Sequence, residues 1–134
     1  MTPVVVVAAV IERDDAFLLT LRQDGAHLAG HWEFPGGKVH EGETHAEALR
    51  REIFEELDAV ARVGDIVHEV THAYPGKTVR LFFYRCELAG APKPMMGQQM
   101  RWVPRSELVT LPFPEADREL IAHLTGRPTG RTCS

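Results

Sequence analysis

The sequence predicts an α+β domain with a mixed β-sheet between helices. Three observations lead there. β-branched and aromatic runs flank one strongly periodic helix, the element order is strand, strand, helix, strands, helix, and no repeat or low-complexity tract interrupts it. At 134 residues a single domain spanning 1–134 is expected, with a Gly/Pro/Thr tail over 125–134 that reads as frayed.

Val4–Ile11 is the longest apolar run and reads as a buried strand, because spanning a bilayer takes roughly 18–20 apolar residues. The polar Glu12-Arg13-Asp14-Asp15 then turns the chain into a second strand, Phe17–Leu21. Gln23–Gly30 reads as a loop, and Pro35-Gly36-Gly37 as the end of any strand that follows it. Thr44 with Glu47 forms a capping box, and Ala46, Leu49, Ile53 and Leu57 recur at helical spacing, so a helix is expected over 45–57. Ile66–Tyr74 and Thr78–Glu87 are strands joined by Pro75-Gly76-Lys77, and Met100–Val103 is a shorter one before Pro104. A last amphipathic helix is expected from about Pro114 to Leu124, with Ala116, Leu120, Ile121 and Leu124 inward.

A hydrophobic fraction of 44% with 25% charged residues is that of a globular protein. The net charge of −4 and the lack of a basic stripe argue against direct nucleic-acid binding. Cys86 and Cys133 give neither a disulfide framework nor a metal spacing, so a cytoplasmic setting without membrane attachment is expected, as a monomer or homodimer. The seven histidines show no zinc spacing: His27, His31, His40 and His45 merely share a polar segment. An acidic protein that takes a polyanionic substrate needs a divalent cation, and hence clustered carboxylates.

Such a cluster is present. Glu52, Glu55 and Glu56 stand at i, i+3 and i+4 of the 45–57 helix, on one face, and oxygen-only donors suit Mg²⁺ or Mn²⁺. Taken alone, this is also what a solvated Glu-rich helix face looks like. The preceding segment decides between the two readings. Gly36-Gly37-Lys38 lets a backbone approach a ligand closely, and from Gly37 the pattern runs five residues to Glu43 and seven more to Arg51-Glu52-Ile53-Phe54-Glu55-Glu56. Over residues 37–59 this resembles the signature box of the Nudix hydrolases.

The resemblance implies an α/β/α sandwich whose loop–helix–loop binds Mg²⁺, with Mn²⁺ able to substitute, against a diphosphate linkage. It implies Glu52, Glu55 and Glu56 as metal ligands with the Gly36 carbonyl, and Glu52, Glu55, Arg51 and Glu43 as the catalytic set, the last two chiefly orienting. Asp58 stands where the family usually has the Gly that ends the helix in a left-handed conformation, and Ala59 where it has a larger aliphatic residue. Asp tolerates that conformation better than most residues. Near Gly97-Gln98-Gln99-Met100-Arg101-Trp102 the family often supplies a further acidic residue; Met96 and Gln99 flank that place here, which leaves Glu52 or Glu55 as the expected base.

Trp32-Glu33-Phe34-Pro35-Gly36-Gly37-Lys38-Val39 resembles the MutT-type branch, with similarity from about Val5 to Leu124. That branch hydrolyses nucleoside triphosphates to monophosphate and pyrophosphate, 8-oxo-dGTP being its best-known substrate. The same resemblance places Arg22 and Lys77 near phosphates and sugar, Val7, Phe34 and Tyr74 around the base, and Asp117 at the base-reading Asn. In isolation Val7 and Phe34 read as plain core, Lys77 as a turn charge and Asp117 as a helix N-terminal carboxylate. Trp102 is as readily a strand-end core residue as a base-stacking one. An ionised Asp only accepts hydrogen bonds, so CTP or dCTP stands beside 8-oxo-dGTP as the expected nucleotide. ADP-ribose or a dinucleoside polyphosphate is a further alternative, and a non-catalytic binding module would normally have lost the box carboxylates.

Overall fold

The computed structural model describes residues 2–23 and 29–126; the expectations for His27 within the 24–28 stretch, and for Cys133 and the tail beyond Gly126, lie outside them. The apolar run forms β1 (Val4–Arg13) and turns into β2 (Ala16–Leu21) through Asp14 and Asp15, at φ 50° and 63°. Two successive left-handed residues match the twist of a tight hairpin, and Asp adopts that conformation at modest cost. There follow β3 (Trp32–Glu33), β4 (Gly36–Lys38), α1 (His45–Leu57), β5 (Val60–Tyr74), β6 (Lys77–Ala89) and β7 (Met100–Pro104). Two 3₁₀ helices, Arg105–Thr110 and Glu115–Asp117, lead into α2 (Arg118–Leu124).

The sheet is mixed. β1 runs parallel to β6 from Val4↔Val79 to Ile11↔Cys86 and antiparallel to β4, but meets β2 only at Glu12↔Phe17 and Arg13↔Ala16. β2 then carries β3 and β7, both antiparallel, while β6 carries β5.

Both faces of β1 are covered, which is why its sequence is apolar without alternation. Val7, Ala9 and Ile11 pack with Ala48, Leu49, Ile53 and Leu57 of α1, whereas Ala8 and Val10 pack with Phe34, Phe83, Leu120, Ile121 and Leu124. The period of two thus sends alternate residues under α1 and under α2, giving helix, sheet, helix. Arg105 ties the far end together, donating to Asp15 Oδ1 (2.7 Å), Glu12 Oε2 (2.6 Å) and the Leu124 carbonyl (2.6 Å).

Helix α1 begins with both hydrogen bonds of the Thr44/Glu47 capping box. It ends at Asp58, left-handed at φ 50° and ψ 41°, whose N–H donates to the Phe54 carbonyl at 3.0 Å. Ala48, not Ala46, completes its buried face.

Several elements differ from the sequence reading. Gly36–Lys38 does not end a strand but forms one, because the missing Cβ at Gly36, which would strike the Val7 carbonyl, lets β4 lie against β1. β5 starts at Val60 and β6 ends at Ala89; their outer ends form a ribbon with few buried residues and register shifts between Val63 and His68, so the apolar pattern understates them. The last helix opens as a 3₁₀ turn, with the Asp117 N–H on the Pro114 carbonyl at 2.9 Å, and is regular only from Arg118. β3 and the 105–110 turn had no sequence signal strong enough to separate them from loop.

Candidate active site

Helix α1 faces β4, and their contact places the carboxylates. Gly37 has no side chain where the Glu52 carboxyl lies: a Cβ there would stand 2.6 Å from each carboxylate oxygen. Glu52, Glu55 and Glu56 therefore turn toward a cleft of about 490 Å³ instead of into solvent on all sides.

Arg51 organises this end. Its Nε and Nη2 donate to the two oxygens of Glu43 at 2.7 and 2.9 Å, Nη1 donates to Glu52 at 2.8 Å and reaches Glu55 at 3.4 Å, and Nη2 also donates to the Lys38 carbonyl at 3.0 Å. A planar fork that satisfies a carboxylate bidentately fixes the loop to the helix. The Arg51 fork, with a backbone N–H from His40, holds the Glu43 carboxyl down at about 2, and the same contacts raise the Arg51 pKa. The opposite happens at Glu56. Burial first, then a hydrogen bond to Glu52 and the charges of Glu52, Glu33 and Glu55, push its carboxyl well above the usual range.

Carboxylates crowded onto one stretch of cleft, as Glu52, Glu55 and Glu56 are, repel one another unless a proton or a cation lies among them. That is the structural argument for a metal here. The lining carries five carboxylates, Glu33, Glu52, Glu55, Glu56 and Asp117, against Arg22, Lys38 and Lys77, so a polyphosphate could not enter without added positive charge. Among the described residues no three His, Cys, Asp or Glu side chains already stand at ligand spacing, since Arg51 draws Glu52 and Glu55 toward Glu43. All-oxygen donors that repel one another at Glu52 and Glu56 fit a hard divalent cation and not zinc.

The C-terminal turn of α1 is capped from a distance. Lys93 N–H donates to the Leu57 carbonyl (2.8 Å), Met95 N–H to the Glu56 carbonyl (2.9 Å), and Gln98 Nε2 to the same carbonyl (3.1 Å), while Gln98 Oε1 accepts from Met96 N–H (2.8 Å). Gln98, with no acidic residue at this place, thus clips the 93–98 loop to the turn that bears Glu55 and Glu56.

Away from the helix the cleft becomes apolar, then polar again. Val6, Ala8, Val79, Leu81 and Phe83 line its middle, and Phe34 stacks on Phe113 at 5.9 Å and meets Phe83 edge-on at 5.8 Å. Tyr74 and Lys77 stand at the tip of the β5–β6 hairpin, on the rim. Asp117 also lines the cleft, only 4% exposed, and burial together with the Glu33 charge pushes its carboxyl up to about 7 against the pull of Arg22. Tyr74 is raised by burial and by Asp117.

The residues picked from sequence thus gather on one cleft, except that Arg51 and Glu43 buttress it from behind. Val7 borders the cleft beside Val6 and Ala8, while its fully buried side chain packs beneath α1. Arg22 is not turned solely to phosphate: its Nη1 pairs with Glu33 at 3.1 Å. Glu33, Thr20 and Gln98 were missed. For Glu33 a signal existed, a carboxylate between two buried aromatics, Trp32 and Phe34, beside the glycine pair.

Comparison with known proteins agrees with this arrangement. The family model described as NUDIX domain matches residues 6–123. The chain is 39% identical over 124 residues to the 8-oxo-dGTP diphosphatase of Haemophilus influenzae, covering 90% of this chain and 91% of that one. It is 35% identical over 122 residues to the CTP pyrophosphohydrolase of Escherichia coli, covering 90% of each. A solved MutT Nudix hydrolase from Burkholderia pseudomallei superposes with a TM-score of 0.82 at 29% identity, over 90% of this chain and 97% of that one. Nudix hydrolases in general use a divalent metal, which the oxygen-rich end of the cleft suits. By sequence and architecture together, this chain belongs to the Nudix hydrolase family, in its MutT-type branch.

Proposed function

We propose that the protein hydrolyses a nucleoside triphosphate to the monophosphate and pyrophosphate, with 8-oxo-dGTP as the preferred substrate. The observation that carries this reading is the chemistry gathered on one cleft: the carboxylates of α1, apolar walls with Phe34 and Phe83, and a buried Asp117. A nucleotide has the matching parts.

Glu52, Glu55 and Glu56, with the Gly36 carbonyl, are the groups that would hold Mg²⁺, or Mn²⁺ in its place. When bound, such an ion neutralises the phosphates, polarises the phosphoryl oxygens and makes water easier to deprotonate. The chain's own residues do the rest. Arg51 holds Glu52 and Glu55 in place, Glu43 fixes Arg51, and Glu52 or Glu55 takes the proton of the attacking water. Arg22 and Lys77 add positive charge toward the phosphates and sugar, and Phe34 with Phe83 offers an apolar face to the base. Asp117 reads the base edge: protonated it donates as well as accepts, as an 8-oxopurine edge requires.

A second reading rests on the same residue. An ionised Asp117 accepts only, which suits the exocyclic amine of cytosine and makes CTP or dCTP the alternative; the Escherichia coli relative carries that activity in its name. The test is a panel of 8-oxo-dGTP, dGTP, CTP, dCTP and ADP-ribose with purified protein and Mg²⁺, products separated by chromatography. The highest kcat/KM on 8-oxo-dGTP, with pyrophosphate as co-product, is expected. Turnover confined to ADP-ribose, or release of orthophosphate alone, would overturn the proposal.

A further inference from the structure

Beside the carboxylates of α1 the lip of the cleft carries a thioether. Met96 lines the cleft with 59% of its surface exposed, in the turn between β6 and β7. Its main chain is held from two sides: the N–H donates to Gln98 Oε1 at 2.8 Å, and the carbonyl accepts from Gln23 Nε2 at 2.8 Å. The same Gln98 amide gives its Nε2 to the Glu56 carbonyl at 3.1 Å. One amide group therefore separates Met96 from a residue proposed to hold the metal. Pinned at both polar atoms, this backbone cannot carry the Met96 side chain away from the cleft without breaking one of those bonds.

The other two methionines among the described residues stand differently. Met95 is 55% exposed but lies outside the cleft lining, and Met100 packs against the core under α1. A thioether is oxidised where solvent reaches its sulfur. A hydroperoxide passes one oxygen to the sulfur: the S=O bond forms, the peroxide O–O bond breaks, the sulfur is oxidised by two electrons, and the peroxide leaves reduced to water or an alcohol. The product is polar and chiral, and its oxygen is an acceptor that the thioether lacked. Of the three methionines, Met96 alone would bring that oxygen into the cleft. Five carboxylates already line it, so a further electron-rich oxygen opposes the entry of a polyanion.

We propose that Met96 is an oxidation-sensitive modification site, at which a hydroperoxide forms the sulfoxide and so lowers turnover. Its place rests on the geometry of the turn, and its effect on turnover rests on the nucleoside triphosphate reading above. Reduction by methionine sulfoxide reductases, one enzyme for each epimer, returns the thioether and with it the activity.

The experiment treats wild type, Met95→Leu and Met96→Leu with hydrogen peroxide and maps sulfoxide at each methionine by peptide mass spectrometry. After the peroxide is removed, kcat/KM on 8-oxo-dGTP and on CTP is compared with the untreated value of the same protein, beside a thermal melt. Leucine keeps a similar apolar volume and has no sulfur to oxidise. In wild type, sulfoxide is expected at Met95 and Met96 ahead of Met100, with kcat/KM falling roughly threefold or more and the fold intact. Met95→Leu should lose as much, Met96→Leu should stay within about 1.5-fold of its own untreated value, and the two reductases should restore wild type. Met96 left unoxidised while Met95 is converted, sulfoxide at Met96 with unchanged kcat/KM, or an equal loss in Met96→Leu each overturns the assignment and leaves the triphosphate reading standing. No hydrolysis of either nucleotide by the untreated protein sinks the triphosphate reading itself, and the effect on turnover with it.

Discussion

Arg51 grips Glu43 at two points, Nε to Oε2 at 2.7 Å and Nη2 to Oε1 at 2.9 Å, and spends its remaining nitrogen on Glu52 at 2.8 Å. Lysine keeps the charge but has one nitrogen on a flexible stem, so it cannot hold both carboxylates. Arg51→Lys is therefore expected to lower kcat at least tenfold with a much smaller change in KM, measured by steady-state kinetics beside a thermal melt. Equal kcat would mean that the fork is decorative. The pH sign is also fixed: the Glu43 carboxyl is lowered from 4.5 to about 2, so the stability it lends is present above 4.5 and lost as pH falls toward 2. The gap in melting temperature between wild type and Glu43→Gln should be constant from about pH 5 to 8 and close below about pH 4.

The two glycines ahead of the helix separate fold from chemistry. A Cβ at Gly37 first meets the far end of Glu52, which can swing aside, whereas a Cβ at Gly36 meets the Val7 carbonyl and Ala8 Cα of the neighbouring backbone. Gly37→Ala should melt within a few degrees of wild type yet lose tenfold or more in kcat, because the displaced carboxylate is a proposed ligand. Gly36→Ala should lose stability by roughly 2 kcal/mol or more, since the β1–β4 pairing must open. Denaturant titration and kinetics on both variants check the contrast; the reverse pattern would refute it.

Asp117 gives a pH test of the buried end. Its carboxyl is raised from 3.8 to about 7, so the stability it contributes is complete below 3.8 and disappears as pH rises through about 7. Asp117→Asn, neutral at every pH, should melt near wild type at about pH 5 and several degrees above it at about pH 8. The same change should alter the ratio of kcat/KM for 8-oxo-dGTP over CTP by roughly tenfold, the effect of one base-edge hydrogen bond changing character. An unchanged ratio with normal turnover would make Asp117 a buried helix-start charge and place base reading elsewhere.

Metal dependence has a readout apart from catalysis. Mg²⁺ should raise the melting temperature of the EDTA-treated wild type and do so much less in Glu56→Gln, because a ligand that binds only the folded state stabilises it by mass action. Equal shifts in both would remove Glu56 from the ligand set.

What could be read from the sequence was what is local in it. The capping box, the 45–57 helix, its Asp58 end and the row of carboxylates all lie within residues 44–58, and their geometry follows from helical period and cap chemistry alone. The parity of β1 was another matter. Val7 and Ala8 are equally apolar, and only the placement of α1 and α2 on opposite faces decides which of them packs under which helix. Long-range clips were likewise silent: Gln98 reaches the Glu56 carbonyl 42 residues away, and Arg105 binds Glu12 and Asp15 across more than 85 residues. Glu33 sits in a strand of two residues, too short for alternation to mark it, so its place between Trp32 and Phe34 was the one signal it left.

The central claim is that the carboxylates of α1 perform the hydrolysis and do not merely decorate a surface. Turnover of 8-oxo-dGTP by Glu52→Gln, with pyrophosphate release and melting temperature measured on the same preparation, tests it most directly. A loss of at least tenfold in kcat is expected with only a small change in melting temperature, since the amide still accepts from Arg51 while weakening a proposed ligand for a hard cation. Wild-type turnover in a fully folded Glu52→Gln would contradict the assignment of this helix as the catalytic element.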